Sequence, residues 1–226
     1  MLSISATAEW RAAHPGAIIG LLELSSVDNT RPSLELNERK HETQARLRER
    51  YGGFTRREFL SVPVMAAYAQ YYKRFDKTYH VLLQLESIVA KGKPLPTVSP
   101  LVDANFMAEV ETLVLTAGHD VAKLVGPVCI DVSRDGDQLT QMDGTPKAIR
   151  AGDMIMRDAK GICCSILYGQ DDRSPIGLGT SHVLYVAYAP AGVPGEAVQA
   201  HLRAVEDNVR SVAPRAVTEQ QQLLLA

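Results

Sequence analysis

The sequence predicts an α+β fold, a mostly antiparallel sheet with flanking helices, and three observations predict it. An early run of branched apolar residues, Ala17 to Leu24, reads as a buried strand. From Pro127 onward, short apolar segments are separated by glycine turns rather than by helices, as antiparallel sheets are. Between and after these lie helix-length segments whose apolar residues recur every three or four positions.

In chain order, His14-Pro15-Gly16 leads into the Ala17 to Leu24 strand, and Asn29 to Pro32 breaks it. Leu34 to Tyr51 has helix-favouring composition but few apolar anchors (Leu36, Leu47, Tyr51), which predicts a surface helix ended by Gly52-Gly53. Ser61 to Phe75 predicts a second helix, with Ser61 as cap, Pro63 in the first turn, and Val64, Tyr68, Tyr71 and Phe75 on one face. That aromatic stripe fits core packing, with base stacking as the alternative. Thr78 to Ala90 continues as an amphipathic helix carrying Leu82, Leu85 and Val89, and Pro94, Pro96 and Pro100 then hold an extended connection.

Asp103 to Val114 reads as helical, closed by Thr116-Ala117-Gly118. Pro127 to Val132 and Gln138 to Met142 flank a Gly136 turn, and Met154 to Arg157 and Ile162 to Leu167 flank a Gly161 turn, so each pair is expected to form a hairpin. His182 to Tyr188 supplies a further strand. Gly195 to Val212 is the last helix, because Val198, Leu202, Val205, Val209 and Val212 alternate spacings of four and three before Pro214. Burial against the chain's own sheet is the first reading of that face, and helix pairing between copies the second.

At 226 residues the chain is long enough to bury a core without disulfides or a structural metal. Apolar runs such as Ala17 to Leu22 are far too short to span a bilayer. Met1 to Glu9 lacks a basic segment followed by an apolar one, so a secretory leader is not expected and the chain is expected in the cytoplasm. Three cysteines, Cys129, Cys163 and Cys164, make no disulfide framework and lack metal-binding spacing, and His14, His41, His80 and His201 have no companions at ligand spacing. No metal and no cofactor is implied.

Charge is unevenly spread. Residues 1–100 hold 14 Lys and Arg against 10 Asp and Glu, whereas residues 101–226 hold 10 against 16. Any cationic surface therefore comes from the first half, where Arg39, Lys40, Arg46, Arg48, Arg50, Arg56 and Arg57 crowd together. Interleaved Glu35, Glu38, Glu42, Glu49 and Glu58 leave a solvated, self-paired helix face as the alternative.

No nucleophile elbow, zinc-binding HExxH, Walker loop or dinucleotide glycine motif occurs. Five stretches in fixed order stand out instead: LPTVSPLVDANF (Leu95 to Phe106), AGHDVAKLVGPVCIDVSRDGDQL (Ala117 to Leu139), MDGT (Met142 to Thr145), GDMIMRDAKG (Gly152 to Gly161) and SILYGQDDRSPIGLGTSHVLYVAYAP (Ser165 to Pro190). Together they resemble the B-three/B-four, tRNA-binding and editing domain of the phenylalanyl-tRNA synthetase beta subunit, and the stand-alone proteins built from it. The resemblance divides a single expected domain into a strand and helices (1–93), an editing-like core (94–190) and a helix with a tail (191–226).

The resemblance implies binding of tRNA or aminoacyl-tRNA, with a free amino acid as the small-molecule alternative, and two readings of its activity: hydrolysis of a mischarged ester in trans, or a non-catalytic RNA-binding or amino-acid-binding module that keeps the same fold. It points away from tRNA charging. Carried over position by position, the editing asparagine corresponds to Asn105, the glycine loop to Gly169-Gln170, and its glutamate to Asp171 or Asp172. Thr180 keeps the family threonine and His182 replaces its asparagine. The family histidine position holds Ala117, with His119 two residues later.

Ester hydrolysis needs an oriented water, a proton acceptor and donors aimed at the oxyanion. His119 and Asp171 are accordingly the candidate catalytic pair, and Asn105, Gly169, Gln170, Asp172, Thr180 and His182 the candidate binding residues. Arg46, Arg50, Arg56 and Arg57 are the candidate RNA contacts. The alternative for His119, Asp171 and Asp172 is turn capping and a solvated loop.

Overall fold

The computed structural model describes residues 2–30 and 33–226, so Met1, Arg31 and Pro32, the last two within the expected break after the first long strand, lie outside the described residues. A four-stranded sheet runs in the order β11 (Val217–Leu225), β2 (Ile18–Ser25), β10 (His182–Ala189), β3 (Thr116–Asp120), all antiparallel. A five-stranded sheet runs β1 (Ile4–Ala6), β4 (Val128–Val132), β7 (Met154–Asp158), β8 (Gly161–Ser165), β9 (Gly169–Gln170), antiparallel except for the β1–β4 pair. β5 (Gln138–Thr140) and β6 (Pro146–Ala148) form a separate ribbon.

The helices are α1 (Ala8–Ala13), α2 (Leu34–Tyr51), α3 (Arg56–Phe59), α4 (Pro63–Lys73), α5 (His80–Val89), α6 (Pro100–Thr112) and α7 (Gly195–Val212). α7 occupies the residues its periodicity predicts, and Val198, Leu202, Val205 and Val209 are fully buried. Gly20 of β2 makes that packing close: a Cβ there would stand 2.7 Å from Val198 Cγ1 and 3.2 Å from Leu202 Cδ1. The helix face is thus covered by the chain's own sheet.

Two expectations about strand pairing and the end of α6 are corrected. Pro127 to Val132 and Gln138 to Met142 do not pair: β4 lies between β1 and β7, while β5 turns back through Asp143-Gly144 onto β6. The Gly136 turn exists, with φ of +87°, but it redirects the chain out of the sheet instead of closing a hairpin. Thr116-Ala117-Gly118 is not a helix end but the first part of β3, because α6 stops at Leu113 in a left-handed conformation (φ +65°). Leu113 tolerates that conformation with its N–H donating to Glu109 O at 2.7 Å and its carbonyl accepting the Tyr79 hydroxyl at 3.0 Å.

The tyrosines of α4 are core residues that anchor backbone. Tyr68 donates to Tyr188 O (2.7 Å) and accepts from Leu115 N (2.9 Å), and Tyr72 donates to Ile166 O. Tyr68 and Tyr79 stack at 4.3 Å. Buried phenol groups satisfied in this way fix three chain segments at once, and those segments line the cavity described next. Asn29 adds a fourth tie, donating to Gly177 O (2.8 Å) and accepting from Leu101 N (2.9 Å) at the start of α6.

α2 is less superficial than its composition suggests. Lys40 is buried on its inner face and donates to Asp103 (2.9 Å), Thr97 Oγ1 (2.8 Å) and Pro96 O (2.6 Å), pinning the proline-rich connection to α6. Ser61 does not cap α4; its hydroxyl donates to Glu58 O inside the preceding turn. Among the described residues no helix is long and apolar enough to cross a membrane.

Candidate functional site

A cavity of about 330 Å³ opens between α6, α5, β3 and the β8–β9 corner. From α6 come Val102, Asn105, Phe106 and Glu109, which the 3.6-residue period sets on one face. α5 contributes His80 and Gln84, one turn apart, while Thr116 to Gly118 form the β3 side. Cys164 to Ile166, Gly169 and Gln170 close the opposite side, and Val98, Met142, Pro175 and Ile176 complete the rim. The size is that of a small-ligand site, largely apolar with a few polar groups.

Thr116 organises those polar groups. Asn105 Nδ2 donates to Thr116 O (3.2 Å), and Thr116 N donates to Glu109 Oε1 (2.7 Å). Two side chains one helical turn apart therefore clamp both backbone groups of one strand residue. With its amide nitrogen so committed, Asn105 is left with Oδ1 buried and without a partner, and Gln84 Oε1 is in the same condition. Burial raises Glu109 to about 8, only partly offset by the Thr116 hydrogen bond, so its carboxyl is mostly protonated at pH 7.

The wall supplies no activated nucleophile among the described residues. Burial pushes the Cys164 thiol far above its ordinary value. The Ser165 hydroxyl is engaged, donating to Asp153 Oδ2 and accepting from Tyr168 N at 3.1 Å. His80 is exposed as a residue, but its ring lies against Tyr72 and Tyr79, and desolvation of that ring lowers its pKa, which favours the neutral imidazole.

Of the residues singled out in the sequence, Asn105, Gly169 and Gln170 stand on the cavity wall. His119 and Asp171 do not: both are buried and joined to each other through Ser174. Ser174 Oγ donates to Asp171 Oδ1 and lies 2.8 Å from His119 Nδ1, which is also 3.0 Å from Gln170 Nε2. Desolvation lowers His119 to about 3, and it raises Asp171 despite hydrogen bonds from Ser174 and the nearby Arg173 guanidinium. Gln170 carries this buried cluster's influence to the wall, donating also to Gly118 O at 2.8 Å.

Asp172 is exposed, and its backbone N–H bonds Thr140 O. Thr180 is buried in a loop lock, donating to Asp120 (2.9 Å) and accepting from Gly177 N (2.9 Å). His182 pairs with Glu23 at 2.8 Å on the four-stranded sheet and is not on the wall. The arginines are mostly engaged at the surface: Arg46 with Glu42 and Glu111, Arg56 with Glu86, and Arg50 over the Tyr51 ring, while Arg57 is exposed.

Gln84, Glu109 and His80 are the wall residues that sequence reading passed over. A glutamate one turn after Asn105 on the mostly apolar segment PLVDANFMAEV is the signal that points to Glu109. For Gln84 and His80 no comparable local signal exists, since both sit on the polar side of an ordinary amphipathic pattern.

A family model described as the B3/4 domain matches residues 64–220, more than two thirds of the chain. The chain belongs to the B3/4 domain family. The match begins within α4 and ends within β11, so this B3/4 domain includes the tyrosine helix and α7 beyond the 94–190 stretch that carries the sequence resemblance. No curated protein matches the chain. Among matching solved structures, an N-terminal fragment of the phenylalanyl-tRNA synthetase beta-subunit from Pyrococcus horikoshii overlays with a TM-score of 0.46 and 8% identity, covering 98% of this chain and 50% of that one. This B3/4 chain thus spans about half the length of that fragment.

Proposed function

We propose that this B3/4 protein binds aminoacyl-tRNA and houses the aminoacyl group in the cavity between α6 and β3. The observation that carries the reading is the cavity itself, whose apolar walls meet the Asn105, Gln84 and Glu109 acceptors in a space suited to one amino acid residue. The resemblance of Leu95 to Pro190 to a tRNA-binding and editing domain supplies the nucleic-acid part. Arg46, Arg50, Arg56 and Arg57 are the residues for phosphate contacts. The ion pairs of Arg46 with Glu42 and of Arg56 with Glu86 lie at the surface and are weak, so exchanging a glutamate for a phosphate costs little.

Hydrolysis in trans is the second reading, and the neutral His80 imidazole at the rim favours it as a proton acceptor for water. In this reading His119 and Asp171 act through Gln170 as positioning residues and do not touch the ester. Filter binding of a panel of aminoacyl-tRNAs, with release of the amino acid followed in parallel, tests both. Binding that weakens steeply with salt is expected from phosphate contacts. Salt-insensitive or absent binding would reject the tRNA reading, and an unchanged ester half-life would reject hydrolysis.

A further inference from the structure

Resting on the aminoacyl reading of the cavity, we propose that Glu109, Asn105 and Gln84 form a receptor for a free primary ammonium group, so that the site takes ligands with an unblocked α-amine and a blocked carboxyl. Thr116 decides which polar atoms of Asn105 and Glu109 are already committed. Its carbonyl fixes the Asn105 amide so that the nitrogen is used and Oδ1 remains, and its N–H uses Glu109 Oε1 so that the second carboxylate oxygen remains for the cavity. Gln84 adds a third acceptor from α5.

Buried acceptors without donors are costly, and a site holding several is completed by a ligand that brings the donors. A primary ammonium brings three N–H groups and a positive charge, and Glu109, releasing its own proton to solvent as the ammonium binds, supplies the opposite charge where water is largely excluded. An N-acylated amine brings one N–H, no charge and added bulk. The clamp therefore discriminates between the two in the way a polar site rejects a ligand that leaves its groups unpaired.

The other end of the ligand follows from what the described wall lacks. None of its residues is lysine or arginine, and His80 is neutral, so nothing there compensates a free carboxylate. An amide or ester carbonyl meets no such penalty. The clamp thus favours aminoacyl derivatives over free amino acids.

Calorimetric or NMR titration at pH 7 with the amides of alanine, leucine and phenylalanine, their N-acetyl counterparts and the free amino acids tests this on the whole chain. The expected result is that at least one amide binds about tenfold or more tightly than both its N-acetyl form and its free acid. Glu109→Gln, which keeps an oxygen for Thr116 N, and Gln84→Leu should each shrink that ratio while the thermal melt stays cooperative. Equal affinity for amide and N-acetyl amide, no binding by any amide, or a ratio untouched by both variants overturns the proposal. Amine selectivity without tRNA binding would reject the tRNA reading and leave the clamp standing. Equal binding of aminoacyl-tRNA and N-acetylaminoacyl-tRNA would do the reverse.

Discussion

His119 Nδ1 lies 2.8 Å from Ser174 Oγ, and that hydroxyl donates its hydrogen bond to Asp171. The pair is the centre of a buried cluster that holds Gln170 at the cavity wall. His119→Ala is therefore expected to lower stability by ~2 kcal/mol or more in denaturant unfolding, through a lost side chain and a stranded hydroxyl. It should also flatten the acid side of the stability curve. A histidine held at about 3 when folded and ordinary when unfolded is stabilising above pH 6.5, and that contribution is lost as pH falls below it. The difference between variant and wild type should thus narrow as pH falls from 6.5 to 4. A pH-independent difference would remove His119 as a buried neutral group.

Glu109 has the opposite sign. Its folded pKa of about 8 exceeds the unfolded value, so the stability it contributes is fully present below about pH 4.5 and is lost as pH rises to 8. The Glu109→Gln variant should match the wild type near pH 4 and exceed its Tm at pH 8 to 9, with a slope difference of up to ~1.4 kcal/mol per pH unit between. Parallel curves for the two proteins would show that Glu109 titrates normally.

Much of this architecture was legible because its signals are local. The four-three spacing of Val198, Leu202, Val205, Val209 and Val212 fixed α7, and the Gly161 turn between two apolar segments identified the β7–β8 hairpin. What escaped depends on distant partners. β11 reads VTEQQQLLL, without alternation, and becomes a strand because β2 has an open edge beside it. The same ambiguity misled the Gly136 turn, since a turn signal states where a chain reverses and not which strand it meets. At the cavity, Asn105, Gly169 and Gln170 could be reached through the family resemblance, which compares motifs. Gln84 and His80 could not, because only the docking of α5 beside α6 brings them to the wall.

Lys40 and Asp103 make a second structural test. Both side chains are 5% exposed, and Asp103 also accepts from Val98 N at 2.9 Å. Lys40→Met should cost ~3–5 kcal/mol by leaving the carboxylate buried and unpaired, and adding Asp103→Asn should recover part of that loss. A double-mutant cycle from chemical denaturation measures the coupling. Purely additive losses would mean that the pair contributes nothing as a pair.

Gly118 tests the cavity wall without touching a polar group. A Cβ there would stand 2.6 Å from Ile176 Cδ1 and 3.1 Å from the Tyr185 ring, too close unless the isoleucine gives way. Gly118→Ala should cost ~1–3 kcal/mol in a thermal or chemical melt and weaken binding of any cavity ligand as the wall shifts inward. Unchanged ligand affinity in a folded variant would place the ligand elsewhere.

The most direct measurement compares the affinity of the whole chain for one aminoacylated tRNA and for the same tRNA without its amino acid, at fixed salt. If the cavity houses the aminoacyl group, the charged form binds several-fold more tightly, and Gly118→Ala erases the difference while leaving the uncharged affinity intact. Equal affinity for the two forms in the wild-type protein would contradict the account.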